Sequence, residues 1–190
     1  MIHLPGVLAA AVEVQDLCQQ RGWRFCFIGG IAVQRWGEPR LTRDVDLTIL
    51  TGFGHEGKYI RALLGHFRPR FRDAADFAIR NRVLLLRTAG GVDVDVSLGG
   101  VAFEESVVRR ATLFAFQPKL ELLTCSAEDL VVLKSFAGRE QDWVDVAGIL
   151  VRQGKRLDWR YILRELRPLA DLKDSPETLE RLKQLRRRGR

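Results

Sequence analysis

The chain has 190 residues, of which 46% are hydrophobic and 29% are charged, and its formal net charge is +7 at neutral pH. This length and composition are typical of a soluble globular protein with one domain or two small ones. No uncharged apolar run approaches the roughly 18 residues that a membrane span needs, so we expect no membrane association.

The N-terminal segment lacks the features of a secretion signal. Its apolar residues 4–12 have no preceding basic region, and acidic residues follow soon after, which favours the buried face of a first helix. The three cysteines are odd in number and isolated, a pattern that favours reduced, buried thiols over disulfides or a zinc site. They are Cys18, Cys26 and Cys125. Together these features predict a cytoplasmic protein.

The first part of the chain alternates between helical and strand-like patterns, which is typical of a mixed α/β fold. A helix over residues 6–21 is followed by a strand at 24–28, the pair Gly29-Gly30 and a helical pattern that Pro39 ends. The remaining predicted elements of this part are a strand at 45–50, a helix at 58–67, a hairpin of 81–88 and 92–98, a helix at 104–110, and strands at 112–116 and 120–123.

From residue 126 onward the pattern is helical throughout. Ser126 begins a variant of the capping box, and Ser175-Pro176 precedes the last predicted helix. The other helices are predicted over 126–138, 141–152 and 158–166. We therefore expect an α+β core over residues 1–124 and a C-terminal helical region with a basic tail over 125–190.

The basic tail accounts for most of the net charge. Residues 181–190 carry six positive charges and no negative ones, so the rest of the chain is only +1. Such a tail could contact the phosphates of a nucleic acid. The more ordinary interpretation is a solubilising helix end, whose cations suit the helix dipole.

Two pairs of acidic residues carry the strongest chemical signal. Asp44 and Asp46 alternate along one apolar strand, and Asp93 and Asp95 alternate along a later one. Since residues i and i+2 of a strand point to the same face, each pair projects two carboxylates side by side, about 7 Å apart along the backbone. Like charges at that spacing oppose folding unless a cation lies between them, and carboxylate oxygens are ligands that Mg²⁺ prefers. An exposed edge strand with solvated charges is the alternative, which the apolar residues beside Asp46 disfavour.

These motifs resemble the minimal nucleotidyltransferases of the DNA polymerase β-like superfamily, and in particular the AbiEii-like branch, which includes toxins of toxin–antitoxin systems. The resemblance lies in Ile28-Gly29-Gly30, in Arg40-Leu-Thr42-Arg-Asp44-Val-Asp46, and in Val94-Asp95-Val96. A helical half with Lys134, Asp142 and Asp145 at similar positions is also typical of that branch. The similarity extends over residues from about 25 to 152.

The resemblance implies a polymerase β-like sheet flanked by helices, and a metal-dependent enzyme that moves a nucleoside monophosphate from an NTP, such as ATP, to an acceptor hydroxyl. Asp44, Asp46 and Asp95 would be catalytic residues that hold Mg²⁺, with Mn²⁺ as a substitute. Asp93 is the alternative third carboxylate, and the distance to the following acidic segment favours Asp95. The backbone N–H groups of Gly29 and Gly30 would bind the NTP phosphates.

Three further residues are predicted nucleotide contacts. Arg40 and Thr42 flank the acidic strand and could bind phosphate, although Thr42 could simply favour the strand. Lys134 lies at the edge of a helix's apolar face, where it would either reach the triphosphate or extend its charged end to solvent. Acidic residues on an amphipathic helix, such as Asp142 and Asp145, are usually solvated or in salt bridges.

The acceptor stays open among RNA (a tRNA 3′ end), a protein side chain and a small molecule. The toxin role, and with it a cognate antitoxin as partner, is implied by the resemblance alone. The competing function is a non-catalytic module of the same fold that binds nucleotide or RNA.

Overall fold

Seven strands form one mixed sheet in the computed structural model, which describes residues 6–188. Along the sheet the strands follow the order β3-β4-β5-β2-β1-β7-β6. Their bounds are β1 Phe25–Phe27, β2 Asp44–Leu50, β3 Arg68–Pro69, β4 Val83–Arg87, β5 Asp93–Gly99, β6 Thr112–Gln117 and β7 Leu120–Thr124. The pairs β2/β5 and β1/β7 are parallel, and the other four pairs are antiparallel.

Nine α-helices accompany the sheet within the same described range. They are α1 Gly6–Gln20, α2 Gly29–Trp36, α3 Glu56–Leu64, α4 Ala74–Asn81, α5 Ala102–Arg110, α6 Ala127–Ala137, α7 Glu140–Gln153, α8 Trp159–Leu172 and α9 Glu177–Arg188. A single 3₁₀ turn, Gly154–Arg156, follows α7. None of the helices within residues 6–188 is both long and apolar enough to cross a bilayer.

The chain divides into two compact units. Unit 1 holds the sheet and comprises the residues up to Ile31 together with Leu41–Cys125. Unit 2 is helical and comprises Ala32–Arg40 together with the residues from Ser126 onward. The predicted boundary after residue 124 lies one residue from the division at 125, but the sequence did not indicate that Ala32–Arg40 groups with the helical unit.

In unit 1 the apolar core lies on one face of the sheet. The inward residues of β2 and β5 alternate with polar ones, as the period of a strand requires. They are Val45, Leu47, Ile49, Val94, Val96 and Leu98, and each has at most 1% of its surface exposed. Residues of α1, α3 and α4 complete this core. The opposite face of the same two strands therefore carries the polar residues.

The thiols belong to the buried part of the chain, as predicted. Cys18, Cys26 and Cys125 are all buried, and none of them forms a disulfide. Burial raises the pKa of the Cys18 thiol to about 12, because the charged thiolate is disfavoured away from water. Cys18 is therefore a structural residue and not a nucleophile.

Unit 2 is built around α6, which contacts α7, α8 and α9. The Ser126 side chain accepts a hydrogen bond from the Asp129 backbone N–H at 3.1 Å, which is the predicted N-cap. A second buried contact joins α8 to α6, since the Tyr161 hydroxyl donates to the Asp129 carboxylate at 2.5 Å. Leu182 of α9 is fully buried, so the first part of the basic tail is a packed helix. The tail's last two residues, 189–190, lie outside the described residues.

The predicted fold class, a mixed α+β sheet flanked by helices with a C-terminal helical region, is confirmed. Two elements were missed: the short strand β3, which contains Pro69, and the helix α4. The helical spacing of Ala74, Phe77 and Ala78 was a usable signal for α4. Helix α8 continues six residues beyond the predicted end at 166 and includes Pro168.

The side chain of Gln15 completes the hydrogen bonding of β7 where β1 is too short to do so. Strand β1 pairs with β7 only at Phe27 and Thr124. Gln15, on α1, accepts from the Leu123 backbone N–H at 3.0 Å and donates to the Glu121 carbonyl at 2.8 Å. Its amide thus takes the place of a strand residue, and it is buried there.

We predict that Gln15→Leu lowers the free energy of unfolding by about 1–3 kcal/mol, because it leaves the partly buried Leu123 N–H and Glu121 carbonyl without this partner. The matched control is Gln19→Leu at an exposed position of the same helix, which should change stability by no more than about 0.5 kcal/mol. Urea denaturation monitored by circular dichroism measures both. Equal effects of the two substitutions would contradict this role.

Candidate active site on the polar face of the sheet

The register of β2 and β5 brings the two acidic pairs together. The strands are parallel neighbours, with Asp44 opposite Asp93 and Asp46 opposite Asp95. Neighbouring strands lie about 4.8 Å apart, so the four carboxylates share one small patch of the polar face. Asp44 is exposed and the other three are partly buried. Because β2 lies between β5 and β1, the alternative of a solvated edge strand is excluded.

Asp46 faces the start of helix α2. The Gly30 backbone N–H lies 3.4 Å from Oδ2 of Asp46, at the hydrogen-bonding limit. Gly29 has a φ of +55°, and a Cβ added to it would lie 1.9 Å from the same oxygen. Only glycine permits both this backbone conformation and this approach. The predicted Gly-Gly turn therefore lies directly against the acidic strand.

Thr42 lies against both Gly30 and the carboxylate of Asp44. Its hydroxyl lies 3.2 Å from Oδ1 of Asp44 and is positioned to donate to it. A Cβ on Gly30 would lie 2.1 Å from the same hydroxyl oxygen, so Gly30 makes room for Thr42. Thr42 is buried, with 7% of its surface exposed. In this structure its contacts therefore orient Asp44 and the start of α2.

Two arginines, Arg70 and Arg87, neutralise part of the acidic patch. Arg87 donates from Nε to Oδ1 of Asp93 at 2.6 Å, and Arg70 donates from Nη1 to Oδ2 of Asp93 at 3.1 Å. The other terminal nitrogen of Arg70 lies 3.0 Å from Oδ1 of Asp95. The Arg87 guanidinium, assisted by Arg70, lowers the pKa of Asp93 below its usual value.

The chemistry of this donor set fits a divalent cation. Asp44, Asp46 and Asp95 supply hard oxygen ligands on one face of two adjacent strands, which suits Mg²⁺ or Mn²⁺. As the side chains lie in this structure, no three acidic, histidine or cysteine residues between positions 6 and 188 enclose a metal position. Asp95 is the register partner of Asp46, whereas Asp93 is held by two guanidinium groups. The preference for Asp95 over Asp93 stays a prediction.

Unit 2 contains a separate cluster of charges, the Lys134 network, formed by Arg40, Lys134, Arg139, Asp142 and Asp145. Lys134 and the two aspartates are buried, whereas Arg40 is partly buried and Arg139 is exposed. The Lys134 ammonium lies 2.9 Å from both Asp142 and Asp145. Arg40 binds Asp145 through two hydrogen bonds of 2.7 and 2.9 Å, and Arg139 donates to Asp142 at 2.7 Å. Lys134 therefore does not extend to solvent, since only 7% of its surface is exposed.

The two aspartates of the Lys134 network are ionised because they are paired. Burial alone would raise the pKa of Asp145, but hydrogen bonds from Arg40 and Lys134 outweigh it and lower that pKa to about 2. Burial likewise opposes the hydrogen bonds from Arg139 and Lys134 at Asp142, whose pKa is also lowered. Removing one partner of such a buried pair typically costs about 3–5 kcal/mol, because it leaves a desolvated charge behind.

Sequence reasoning missed the arginines and the pairing of Lys134. The alternation Arg68-Pro-Arg70-Phe-Arg72 was a signal for basic residues on one face of an extended segment. Asp142 and Asp145 were recognised by their spacing, but that spacing does not indicate which cation they bind. The predicted phosphate contacts of Arg40, Thr42 and Lys134 stay predictions.

Residues 17–184 match the sequence model of a family described as "Nucleotidyl transferase AbiEii toxin, Type IV TA system". No curated protein matches the chain. The solution structure of the antibiotic-resistance factor ANT(2'')-Ia is similar at 14% identity and a TM-score of 0.47, over 94% of this chain and 88% of that one. An antigenic nucleotidyltransferase-like protein from Paracoccidioides brasiliensis is similar at 15% identity and a TM-score of 0.46, over 93% and 90% of the two chains. Neither likeness bears on the activity of this chain.

We predict that Gly29→Ala destabilises the protein by roughly 1–3 kcal/mol and displaces the Asp46 side chain, because alanine at a positive φ is strained and its Cβ overlaps the carboxylate. Gly57→Ala is the control, since Gly57 lies inside helix α3 with nothing closer than 3.4 Å to the added Cβ. That change should leave stability unaltered or raise it by about 1 kcal/mol. Urea denaturation curves of both variants measure these changes in stability. Equal stability of the two variants would contradict the prediction for Gly29.

A second prediction concerns acid stability. The pKa of Asp145 is lower in the folded than in the unfolded chain, so the stability it contributes is complete above about pH 4 and is lost as the pH falls toward 2. We expect Asp145→Asn to remove about 2 kcal/mol of this acid dependence, because the carboxylate whose pKa is lowered is no longer present. The exposed Asp171→Asn is the control. Unfolding free energies measured between pH 2 and 6 should flatten only for the Asp145 variant.

Proposed function

This chain belongs to the AbiEii family of nucleotidyl transferase toxins of type IV toxin–antitoxin systems, and on that premise we propose that it transfers a nucleoside monophosphate from an NTP to an acceptor hydroxyl. The observation that carries the proposal is the register of β2 and β5, which sets Asp46 opposite Asp95 and beside the glycine turn. Phosphoryl chemistry of this kind depends on positioning and on charge neutralisation, which such a patch can supply.

In the proposed reaction the acceptor oxygen attacks the α-phosphorus of the NTP, and a new phosphorus–oxygen bond forms. The bond from the α-phosphorus to its bridging oxygen breaks, and pyrophosphate leaves with the electron pair. The proton of the acceptor hydroxyl passes to solvent. Asp44, Asp46 and Asp95 would hold Mg²⁺ or Mn²⁺, which when bound neutralises the phosphate charge and makes the hydroxyl more acidic.

The chain's own residues have distinct roles in this proposal. The Gly29–Gly30 turn allows a close approach of backbone to ligand, and its N–H groups would bind NTP phosphates at the start of α2. The Gly30 N–H also faces Asp46, so phosphate binding and the orientation of that carboxylate involve the same turn. Thr42 orients Asp44 through its hydroxyl. Arg40 and Lys134 remain proposed phosphate contacts that would first have to exchange their present carboxylate partners.

The acceptor class is a choice among RNA, a protein side chain and a small molecule, and the transfer assay below distinguishes all three. As the toxin of a toxin–antitoxin system, the protein would act in the cytoplasm, where NTPs are present. Because the family is one of toxin–antitoxin systems, we also propose a cognate antitoxin as its partner. The charge of the C-terminal helix, on which Arg187 is exposed, is compatible with an RNA acceptor.

We predict that Asp46→Asn lowers nucleotide transfer at least about a hundredfold, because it removes a charge that acts on the transferred phosphate. The wild type is incubated with each α-labelled NTP and Mg²⁺ or Mn²⁺, with total RNA, with a metabolite extract, and by itself. Label then identifies the nucleotide and the acceptor. Asp76→Asn, an exposed acid on α4, is the control and should transfer at the wild-type rate.

The same pair of variants tests the toxin role. Induced expression of the wild type and of Asp76→Asn should arrest growth, and Asp46→Asn should not. Transfer by the Asp46 variant at the wild-type rate would contradict the proposed role of Asp46 in catalysis. Absence of label under every condition, together with nucleotide or RNA binding that ignores divalent cations, would favour the non-catalytic binding module.

A further inference from the structure

Arg70 bridges two carboxylates of the acidic patch. One terminal nitrogen of its guanidinium lies 3.1 Å from Oδ2 of Asp93, and the other lies 3.0 Å from Oδ1 of Asp95. The arginine follows the short strand β3, and its backbone N–H donates to the Leu85 carbonyl of β4 at 3.1 Å. Its side chain is 24% exposed. The contact with Asp93 is a hydrogen bond, and the contact with Asp95 is an ion pair.

Neutralisation of Asp93 does not explain why Arg70 reaches Asp95. Asp93 already binds Arg87 through its other oxygen at 2.6 Å, so this carboxylate has a cation of its own. The register places Asp93 and Asp95 two residues apart on β5, and Asp95 is the one that faces Asp46 across the strand pair. The second nitrogen of Arg70 thus engages the carboxylate assigned to the divalent cation.

We propose that Arg70 is an internal counter-ion that competes with a divalent cation for Asp95. This inference rests on the proposed function, since it assumes that Asp95 is a cation ligand. A guanidinium and a divalent cation at the same carboxylate repel each other, and the repulsion is strong at a site partly removed from water. Cation binding therefore requires the Arg70–Asp95 ion pair to break, while its contact with Asp93 can persist.

The competition has two consequences for the protein. Without a cation, Arg70 reduces the repulsion among four neighbouring carboxylates and so stabilises the sheet. With a cation present, the lost ion pair weakens the apparent affinity. Arg70 is in this sense a positioning residue that acts on the site through Asp95, and it needs no contact with the substrate.

The test is the affinity of the full chain for Mn²⁺ alone, measured by the electron paramagnetic resonance signal of free Mn²⁺ and by calorimetry. Arg70→Gln should bind Mn²⁺ about three- to tenfold more tightly than the wild type, as expected for loss of one partly exposed competing pair. Arg87→Gln is the matched control, because it also removes one positive charge beside Asp93 but does not touch Asp95. It should change the affinity less than about twofold.

Asp46→Asn separates failure of this inference from failure of the proposed function. If the wild type shows no Mn²⁺ binding that depends on Asp46, the metal site itself is overturned. If such binding is present but Arg70→Gln strengthens it no more than Arg87→Gln does, only the role of Arg70 is overturned. Arg70→Met, which keeps an apolar stem, serves as the second variant should Arg70→Gln fail to fold, as judged by thermal unfolding.

Discussion

The structure of unit 1 depends on one electrostatic constraint: four carboxylates lie on one face of two paired parallel strands. Like charges so placed would destabilise the central β2/β5 pair unless neighbouring groups compensate them. The surroundings supply this compensation from several directions, through the start of α2 at Asp46, the Thr42 hydroxyl at Asp44, and the two arginines at Asp93 and Asp95. A folded protein that retains such an arrangement accepts a cost in stability, which is typical of functional sites and supports the proposed one.

Both units contain clustered acidic side chains, but the two clusters differ in how far they are buried. On the sheet the carboxylates are partly hydrated, and Arg70 is shared between two of them, so that its ion pairs can exchange for a ligand. In the Lys134 network the carboxylates of Asp142 and Asp145 are almost fully buried, and each binds two basic side chains. Exchange of those pairs would be much more costly. The charged cluster of the helical unit therefore exchanges its ion pairs less readily than the sheet patch does.

The Gly29–Gly30 backbone lies very close to the Asp46 carboxylate, and this contact supports the proposed function. Gly29 and Gly30 permit contacts of the α2 turn with Asp46 and Thr42 that any side chain would prevent. The same absence of side chains exposes N–H groups of the kind that bind phosphate. The turn and the acidic strand thus form one constellation, in which a nucleotide and its counter-ions could be held by adjacent groups. Membership of a nucleotidyl transferase family agrees with that reading of the geometry.

The sequence alone determined what strand and helix periodicity can encode. Asp44 and Asp46 share a face because side chains alternate along a strand, and the glycine turn, the Ser126 cap and the helical second half follow from equally local rules. Only the tertiary structure decided that Asp46 lies opposite Asp95, that Arg70 bridges two acids, and that Lys134 is buried between Asp142 and Asp145. Those pairings join residues from separate elements, and depend on strand register and on side-chain packing, which local patterns do not specify.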